Sequence, residues 1–282
     1  MRTSQRNGLT LIEMMVAVML LLVVVAIGAI AARRTLAIEA RTSMRASRES
    51  GISDALRTLA RHASNAEPAR GDIRRARDTV LDIVHTLGIT TVCRVSRDTV
   101  VIPSDADSLP WSTVLPRAVT ADDEVRVWRD DTHDWAQRSV RSVTGASGAC
   151  GDSVRTWPGR AAQRLVLSDT VSGAGPGAPM RVLQRERWSL VRGGDGAWAL
   201  SMATWDAARG VFQVPQPLLA PLASPTAMGG AGFAIRAIDA GGATIVDSAL
   251  IRTRSLLAVL RAPRHQLYGS VSDSVRINVG AH

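Results

Sequence analysis

The chain has 282 residues but contains no lysine, only two cysteines and only five histidines. Its 34 basic residues are therefore all arginine. Because a genomic bias toward arginine codons gives the same composition, arginine alone does not indicate nucleic-acid binding. Two cysteines exclude a disulfide-dense scaffold and also an all-cysteine zinc site, which needs four thiolates.

Sequence patterns typical of enzymes are lacking as well. The histidines form no HExxH or HxxxH pair, which excludes a zincin. There is no GxSxG nucleophile elbow, and the glycines at 173, 175 and 177 do not follow a strand and open a helix as in a dinucleotide-binding loop. We therefore expect no catalytic residue, no enzymatic activity and no cofactor.

One long hydrophobic run dominates the N-terminal region. Residues 9–32 comprise 24 residues, of which only Glu13 is charged. As a helix this run is about 36 Å long, which exceeds the roughly 30 Å hydrocarbon core of a bilayer. We predict a transmembrane helix at residues 9–34, which makes the chain a single-pass membrane protein with a polar body.

The first eight residues differ from a secretory signal peptide. Arg2 and Arg6 give a basic start, but the small residue Gly8 precedes the hydrophobic run, and a pair of arginines follows it where a signal peptide has its cleavage site. Cleavage after Gly8 would remove residues 1–8 as a leader and keep the whole span in the mature protein.

Glu13 is the one charge inside the hydrophobic run. A carboxylate at the centre of a span costs about 2.5–3.5 kcal/mol on insertion scales, and less near an end. After cleavage behind Gly8, the new amino group of Leu9 would be a nearby cation, on the same helix or from a neighbouring chain in a bundle. The alternative is that Glu13 extends toward the lipid headgroups.

The segment Gly8-Leu9-Thr10-Leu11-Ile12-Glu13 resembles the class III signal of type IV pilins and pseudopilins. That signal combines a short basic leader, a glycine and a hydrophobic helix with glutamate at its fifth residue. The resemblance implies that a prepilin peptidase cleaves after Gly8 and N-methylates Leu9, where the family usually has phenylalanine. It also implies that Glu13 acts in filament assembly, and it covers only about residues 1–34.

Charge does not decide the orientation of the span, because two arginines lie on each side of it. The resemblance implies a cytoplasmic N-terminus, one pass through a bacterial inner membrane, and a periplasmic body that is incorporated into a filament. Removing the two leader arginines lowers the formal net charge from +9 to about +7.

Residues 35–67 predict an amphipathic stalk helix. Four apolar residues recur at helical spacing and define one face: Ile52, Leu56, Leu59 and Ala63. Pro68 is the expected end of the helix. With the span, this gives a nearly continuous helix of roughly 85 Å, in which Gly28 and Gly51 are the expected points of flexibility. The alternative is an ordinary span followed by an unrelated surface helix.

Residues 68–282 change to alternating patterns with turns, which predict a β-rich head. Strands are predicted at 80–84, 90–95, 99–102, 124–128, 135–143, 164–167, 180–191, 197–204, 232–238, 243–246, 248–261 and 270–279. Loops rich in glycine and proline are predicted at 172–179 and 215–230. Because strands do not alternate with long helices, we expect an antiparallel α+β fold carried by the long N-terminal helix.

The order of features in the last third is similar to J-type minor pseudopilins of type II secretion and to W-type minor pilins. These features are Trp188, Trp205, the Pro217-Leu218-Leu219 stretch and Phe233-Ala234-Ile235. The similarity does not separate the two groups.

Cys93 and Cys150 would lie in the oxidising periplasm, where we expect them to form a disulfide; two free thiols are the alternative. Their spacing excludes a CxxC redox motif. Some pseudopilins bind calcium through loop carboxylates, and acidic groups occur near residues 105, 122 and 130. None matches an EF-hand loop, so we expect no metal site and keep calcium as the alternative.

These features together predict a minor pseudopilin or pilin at the tip of a filament or in its initiating complex, supporting protein secretion. The alternatives are a type IV pilus subunit acting in adhesion or DNA uptake, and a membrane-tethered periplasmic enzyme. Expected partners are other minor and major pilins or pseudopilins, the prepilin peptidase, the membrane, and an inner-membrane assembly platform with its ATPase. We expect no nucleic acid among them.

Overall fold

The computed structural model describes residues 11–103, 113–147, 161–265 and 269–280. Its N-terminal part is a single helix, α1 Leu11–Ser64, with 54 residues and a length of about 81 Å. The helix passes Gly28 and Gly51 without interruption and ends before Pro68, which has no N–H with which to continue it. The predicted continuous helix is confirmed.

A tight turn follows α1. Residues Pro68–Arg70 form one turn of 3₁₀ helix, and Gly71 follows with a φ of 77°, a left-handed conformation that favours glycine. The Gly71 N–H donates to the Pro68 carbonyl at 2.9 Å. The first strand then begins at Ile73.

Sixteen strands and a second 3₁₀ helix, Asp247–Arg252, make up the described part of the head. The strands are β1 Ile73–Asp78, β2 Val80–Thr91, β3 Arg94–Ser96, β4 Thr99–Pro103, β5 Thr113–Val114, β6 Glu124–Arg129, β7 Asp134–Ser147, β8 Ala161–Leu167, β9 Pro179–Arg192, β10 Trp198–Asp206, β11 Val211–Phe212, β12 Gln216–Leu222, β13 Phe233–Ile238, β14 Thr244–Ile245, β15 Ser255–Arg261 and β16 Ser272–Asn278.

The strands pair only in antiparallel fashion within the described residues, along the order β16-β15-β13-β1-β2-β9-β6-β7-β8-β4-β3. The long strand β9 pairs with β2 on one side, and on the other side with β6 near its start and β10 near its end. A long helix followed by an antiparallel β-rich head confirms the α+β class.

The head contains two hydrophobic cores that meet along β9. The first lies between the C-terminal part of α1 and the sheet, and includes Trp188 and Phe233. The second contains no residue of α1 and is built mainly from β4, β6, β7, β8 and the start of β9, which contributes Met180 and Val182. The helix therefore packs on only one of the two cores.

The loop predicted at 215–230 is wrong in its first half, where β12 Gln216–Leu222 pairs with β10. Pro217 and Pro221 point to a loop by composition, but proline is tolerated on an edge strand, where one side of the backbone needs no ladder hydrogen bonds. β12 is such a strand, since β10 is its one partner among the described strands.

Three other predictions need correction. The strand predicted at 248–261 begins only at Ser255, because Asp247–Arg252 forms a 3₁₀ helix that is closed by Thr253, which donates from its backbone and its hydroxyl to the Leu250 carbonyl. The strand predicted at 90–95 is split between β2 and β3.

Strand β1 was not predicted, because its buried residues do not alternate with exposed ones. The strands predicted at 124–128 and 135–143 are confirmed and form the hairpin β6–β7, and those predicted at 180–191 and 197–204 are confirmed and form the hairpin β9–β10.

Candidate functional site

The N-terminal half of α1 is an exposed apolar rod. Every residue from Leu11 to Ser47 is exposed, including long runs of leucine, valine and isoleucine. Soluble monomeric proteins seldom expose so large a continuous apolar surface, which indicates that this part of α1 contacts a membrane or another protein. Within the described ranges, α1 is the one helix that is long and apolar enough to cross a membrane.

The predicted processing and assembly residues lie at the start of this rod. Glu13 is in the first turn of α1, where the positive end of the helix dipole favours a carboxylate. Gly8 and Leu9 lie outside the described residues. Their roles, and that of Glu13, stay predictions.

The C-terminal part of α1 joins the head through the predicted apolar face. Its buried residues are Ile52, Leu56, Leu59 and Ala63. They belong to the first core, where burying one isoleucine or leucine side chain contributes about 1.5–3 kcal/mol. The predicted face is confirmed. At the start of the junction, Arg48 Nη1 donates to the Pro221 carbonyl at 3.1 Å.

A buried ion pair holds the turn after α1 against the sheet. The Asp72 carboxylate accepts two hydrogen bonds from Arg126 of β6, and Asp72 Oδ2 also accepts the backbone N–H of Glu67 at 2.8 Å. Arg126 Nε donates to Gln137 Oε1 at 3.0 Å. Asp72 and Arg126 are only 3% and 1% exposed, so each charge depends on the other.

A second, more exposed set of charges surrounds the same turn. Arg181 Nη1 lies 2.6 Å from Glu67 Oε1, and Arg70 pairs with both Glu67 and Asp134. The hydrogen bond from Arg70, with help from the backbone N–H of Trp135, lowers the pKa of the Asp134 carboxyl below its ordinary value. These contacts connect the end of α1 with β7 and β9.

Two histidines and a glutamate meet beneath the last turns of α1. His62 Nδ1 lies 2.8 Å from Glu186 Oε2, and His85 Nδ1 lies 3.7 Å from the same oxygen. The two imidazole rings are 4.7 Å apart between centroids, and His62 contacts the edge of Trp188 at 5.6 Å. His62 belongs to α1, His85 to β2 and Glu186 to β9.

The environment of His85 disfavours protonation of its ring. Burial lowers the pKa of His85, and nearby His62 lowers it further, while Glu186 acts in the opposite direction. His85 Nδ1 is buried and makes no hydrogen bond. Glu186 is also nearly inaccessible, whereas the His62 side chain is 28% exposed.

Sequence reasoning missed this cluster, because His62, His85 and Glu186 share no motif or spacing. The β2–β9 register places Glu186 opposite Ile83, two residues along the strand from the His85–Gln184 pair, so the side chains of His85 and Glu186 lie on the same face of the sheet. No signal in a single sequence specifies that register.

The opposite face of the same two strands carries stacked arginines. Asp82, almost completely buried, accepts hydrogen bonds from Arg185 at 2.7 and 2.9 Å and from Arg187 at 3.1 Å. The Arg185 guanidinium lies 4.3 Å from the Trp205 ring centroid, and that of Arg187 lies 3.9 Å from the Phe212 centroid. These arginines are already partnered, which fits a structural role.

Arginines pair with three of the described acidic residues considered for calcium, Asp123, Glu124 and Asp134. Arg117 donates to both oxygens of Asp123 at 2.8 Å, while Asp134 pairs with Arg70 and Arg129. The acidic residues near position 105 lie outside the described residues. Cys93 is disulfide-bonded. Cys150, the other cysteine, lies outside the described residues, so their pairing stays a prediction.

Comparison with known proteins identifies only the N-terminal region. A family model described as the prokaryotic N-terminal methylation motif matches residues 3–32. No curated protein and no solved structure matches the chain significantly. The motif includes the predicted cleavage position and most of the exposed apolar rod. This motif is typical of type IV pilin-like subunits, which prepilin peptidase processes and which assemble into filaments; in this chain the match is limited to residues 3–32.

Proposed function

We propose that the protein is a minor pseudopilin or pilin at the tip of a filament or in the complex that initiates it, and that it supports protein secretion. The observation that carries the proposal is the continuity of α1. One helix has an exposed apolar N-terminal part, most of which matches the methylation motif, and a C-terminal part that buries one face against a large β-rich head.

Assembly would depend on the start of α1. After cleavage behind Gly8, the N-methylated amino group of Leu9 on one subunit would pair with Glu13 of its neighbour. An ion pair in a low-dielectric helix bundle strongly favours one register, because any other leaves a carboxylate unpaired among apolar side chains. The subunit would reside in the inner membrane with its N-terminus in the cytoplasm and its head in the periplasm.

The size of the head supports a minor position. The region after α1 spans more than two hundred residues and contains sixteen described strands, which is large for a subunit repeated along a whole filament. A bulky head is accommodated most easily where no further subunit must stack above it.

The proposal is tested by crosslinking the full chain in membranes of its native host and identifying its partners by mass spectrometry. Glu13→Ala should still be cleaved but should lose its crosslinks to other subunits. Asp54→Ala removes an exposed carboxylate from the same helix, outside the apolar rod, and should retain them.

Three outcomes distinguish the alternatives. Recovery with other minor pseudopilins and a secretion platform supports the proposal. Recovery with a major pilin and a retraction motor would instead identify a pilus subunit and favour adhesion or DNA uptake. An uncleaved chain without subunit partners would overturn both and indicate that the span is only an anchor.

A further inference from the structure

Three side chains suited to binding a metal converge from three elements at the junction of α1 and the head. Ligand atoms of His62, His85 and Glu186 all lie within 4.8 Å of one another. No other group of three His, Cys, Asp or Glu side chains within the described ranges comes as close. We propose that His62, His85 and Glu186 bind one Zn²⁺ ion, which fastens α1 to strands β2 and β9.

The distances are close to those of a three-ligand zinc site. Zinc binds imidazole nitrogen and carboxylate oxygen at about 2.0–2.2 Å, so tetrahedral ligand atoms lie about 3.3 Å apart. The distances from Glu186 Oε2 to His62 Nδ1 and to His85 Nδ1 are 2.8 and 3.7 Å, one shorter and one longer than this. Shifts of about half an ångström along these two edges would bring both to the required value. The ligand atoms of His62 and His85, which lie within 4.8 Å of each other, would also have to close toward that value.

His85 supplies an independent observation in favour of a ligand. Its side chain is nine-tenths buried, and its Nδ1 has no hydrogen-bond partner although it faces the cluster. A buried polar atom without a partner costs about 1–3 kcal/mol. An Nδ1 atom without a hydrogen and a carboxylate oxygen are both acceptors and cannot bond to each other, whereas a cation between them would satisfy both atoms.

The ligand set favours a transition metal over calcium. Two imidazoles and one carboxylate suit Zn²⁺, whereas Ca²⁺ and Mg²⁺ take mainly oxygen ligands. The partial exposure of His62 leaves an entry path and a fourth coordination position for water. The alternative is a metal-free hydrogen bond between His62 and Glu186, which leaves His85 Nδ1 unpartnered.

The test uses the full chain purified in detergent and stripped of metal with a chelator. Titration with Zn²⁺ should show one tight site per chain, and Ca²⁺ at the same concentration should not compete. Replacement by Co²⁺ should give the visible absorption bands of a four-coordinate site, a signal that reports ligand geometry rather than folding. Zn²⁺ should also raise the unfolding temperature.

Variants connect the signal to the three ligands. Because loss of a second-shell partner alone commonly weakens metal sites 10- to 100-fold, His62→Gln should weaken Zn²⁺ binding by roughly 100-fold or more. His85→Gln should abolish the cobalt bands, and His133→Gln, at an exposed turn, should leave them unchanged. His62 is the less buried ligand, so its variant keeps the test valid if His85→Gln does not fold.

The absence of a stoichiometric site in the wild-type chain would overturn the proposal. It would also be overturned if folded His62→Gln and His85→Gln proteins bound Zn²⁺ as tightly as the wild type. Neither result would affect the filament role, since that role depends on the N-terminal half of α1.

Discussion

Arg126 and Asp72 form a bidentate ion pair inside the head, where neither side chain has appreciable contact with solvent. Asp72 belongs to the turn that follows α1, and Arg126 belongs to β6. The pair therefore connects the helix end to the strand that also lines the second core. No other contact of the turn is both fully charged and fully buried among the described residues.

We expect Asp72→Ala to destabilise the folded head by about 3–5 kcal/mol, because the Arg126 charge would remain buried without its partner. Chemical denaturation followed by circular dichroism measures the loss. Asp54→Ala is the matched control, since the Asp54–Arg57 pair is exposed and surface pairs contribute about 0–1 kcal/mol. Equal effects of the two substitutions would contradict the assigned role of the buried pair.

We expect Leu59→Ala to destabilise the folded head by about 2–5 kcal/mol, since Leu59 is fully buried between α1 and the sheet and its truncation leaves a cavity. Leu36→Ala, on the exposed part of the same helix, should leave head stability unchanged. Its effect should be confined to the membrane or to subunit packing. A head that tolerates Leu59→Ala without loss would show that α1 is not part of its core.

We expect Asp134 to contribute stability that is lost only in acid. Arg70 lowers the pKa of the folded carboxyl below the ordinary value of 3.8. The contribution is therefore fully present above pH 3.8 and is lost as the pH falls through the lowered pKa of Asp134 in the folded protein. Comparing wild type with Asp134→Asn at pH 7 and in strong acid tests this: the difference between their unfolding midpoints should be small, because the pair is exposed, and should vanish in acid. A difference that grows in acid would contradict the assignment.

We expect the mature chain to begin at Leu9 and to carry a methyl group on its amino nitrogen. Intact-mass measurement and N-terminal peptide sequencing of protein from the native membrane detect both changes. Gly8→Arg should block cleavage, because a long cation replaces the smallest side chain at the scissile bond, while Asn7→Ala should not. A mature chain that keeps Met1 would exclude prepilin-type processing.

The local parts of the structure could be predicted from sequence and the long-range parts could not. The buried face through Ile52, Leu56, Leu59 and Ala63 follows from helical periodicity, which one segment encodes by itself. The position of Pro68 likewise predicts the end of the helix. The convergence of His62, His85 and Glu186 depends on the register between β2 and β9 and on where α1 crosses these strands. Neither property can be inferred from a short segment of sequence.

Strands β1 and β12 were missed for a related reason. In β1 the charged residues outnumber the apolar ones, and its place between β2 and β13 is set by backbone pairing. In β12 two prolines suggest a loop. At an edge strand, however, a proline nitrogen that faces away from the sheet loses no ladder hydrogen bond. Tertiary context overrides local composition in both cases.

Because α1 is one uninterrupted helix, a tilt of its membrane-spanning part would be transmitted to the head. About 55 Å of uninterrupted helix extends beyond the residues of α1 that contact the head. A tilt of about 20° at the membrane end, ordinary for a spanning helix, would displace the end of this segment at the head by about 19 Å relative to the membrane end. A small rotation of the membrane-spanning part of α1 would therefore produce a large displacement of the β-rich head and of any subunit bound to it.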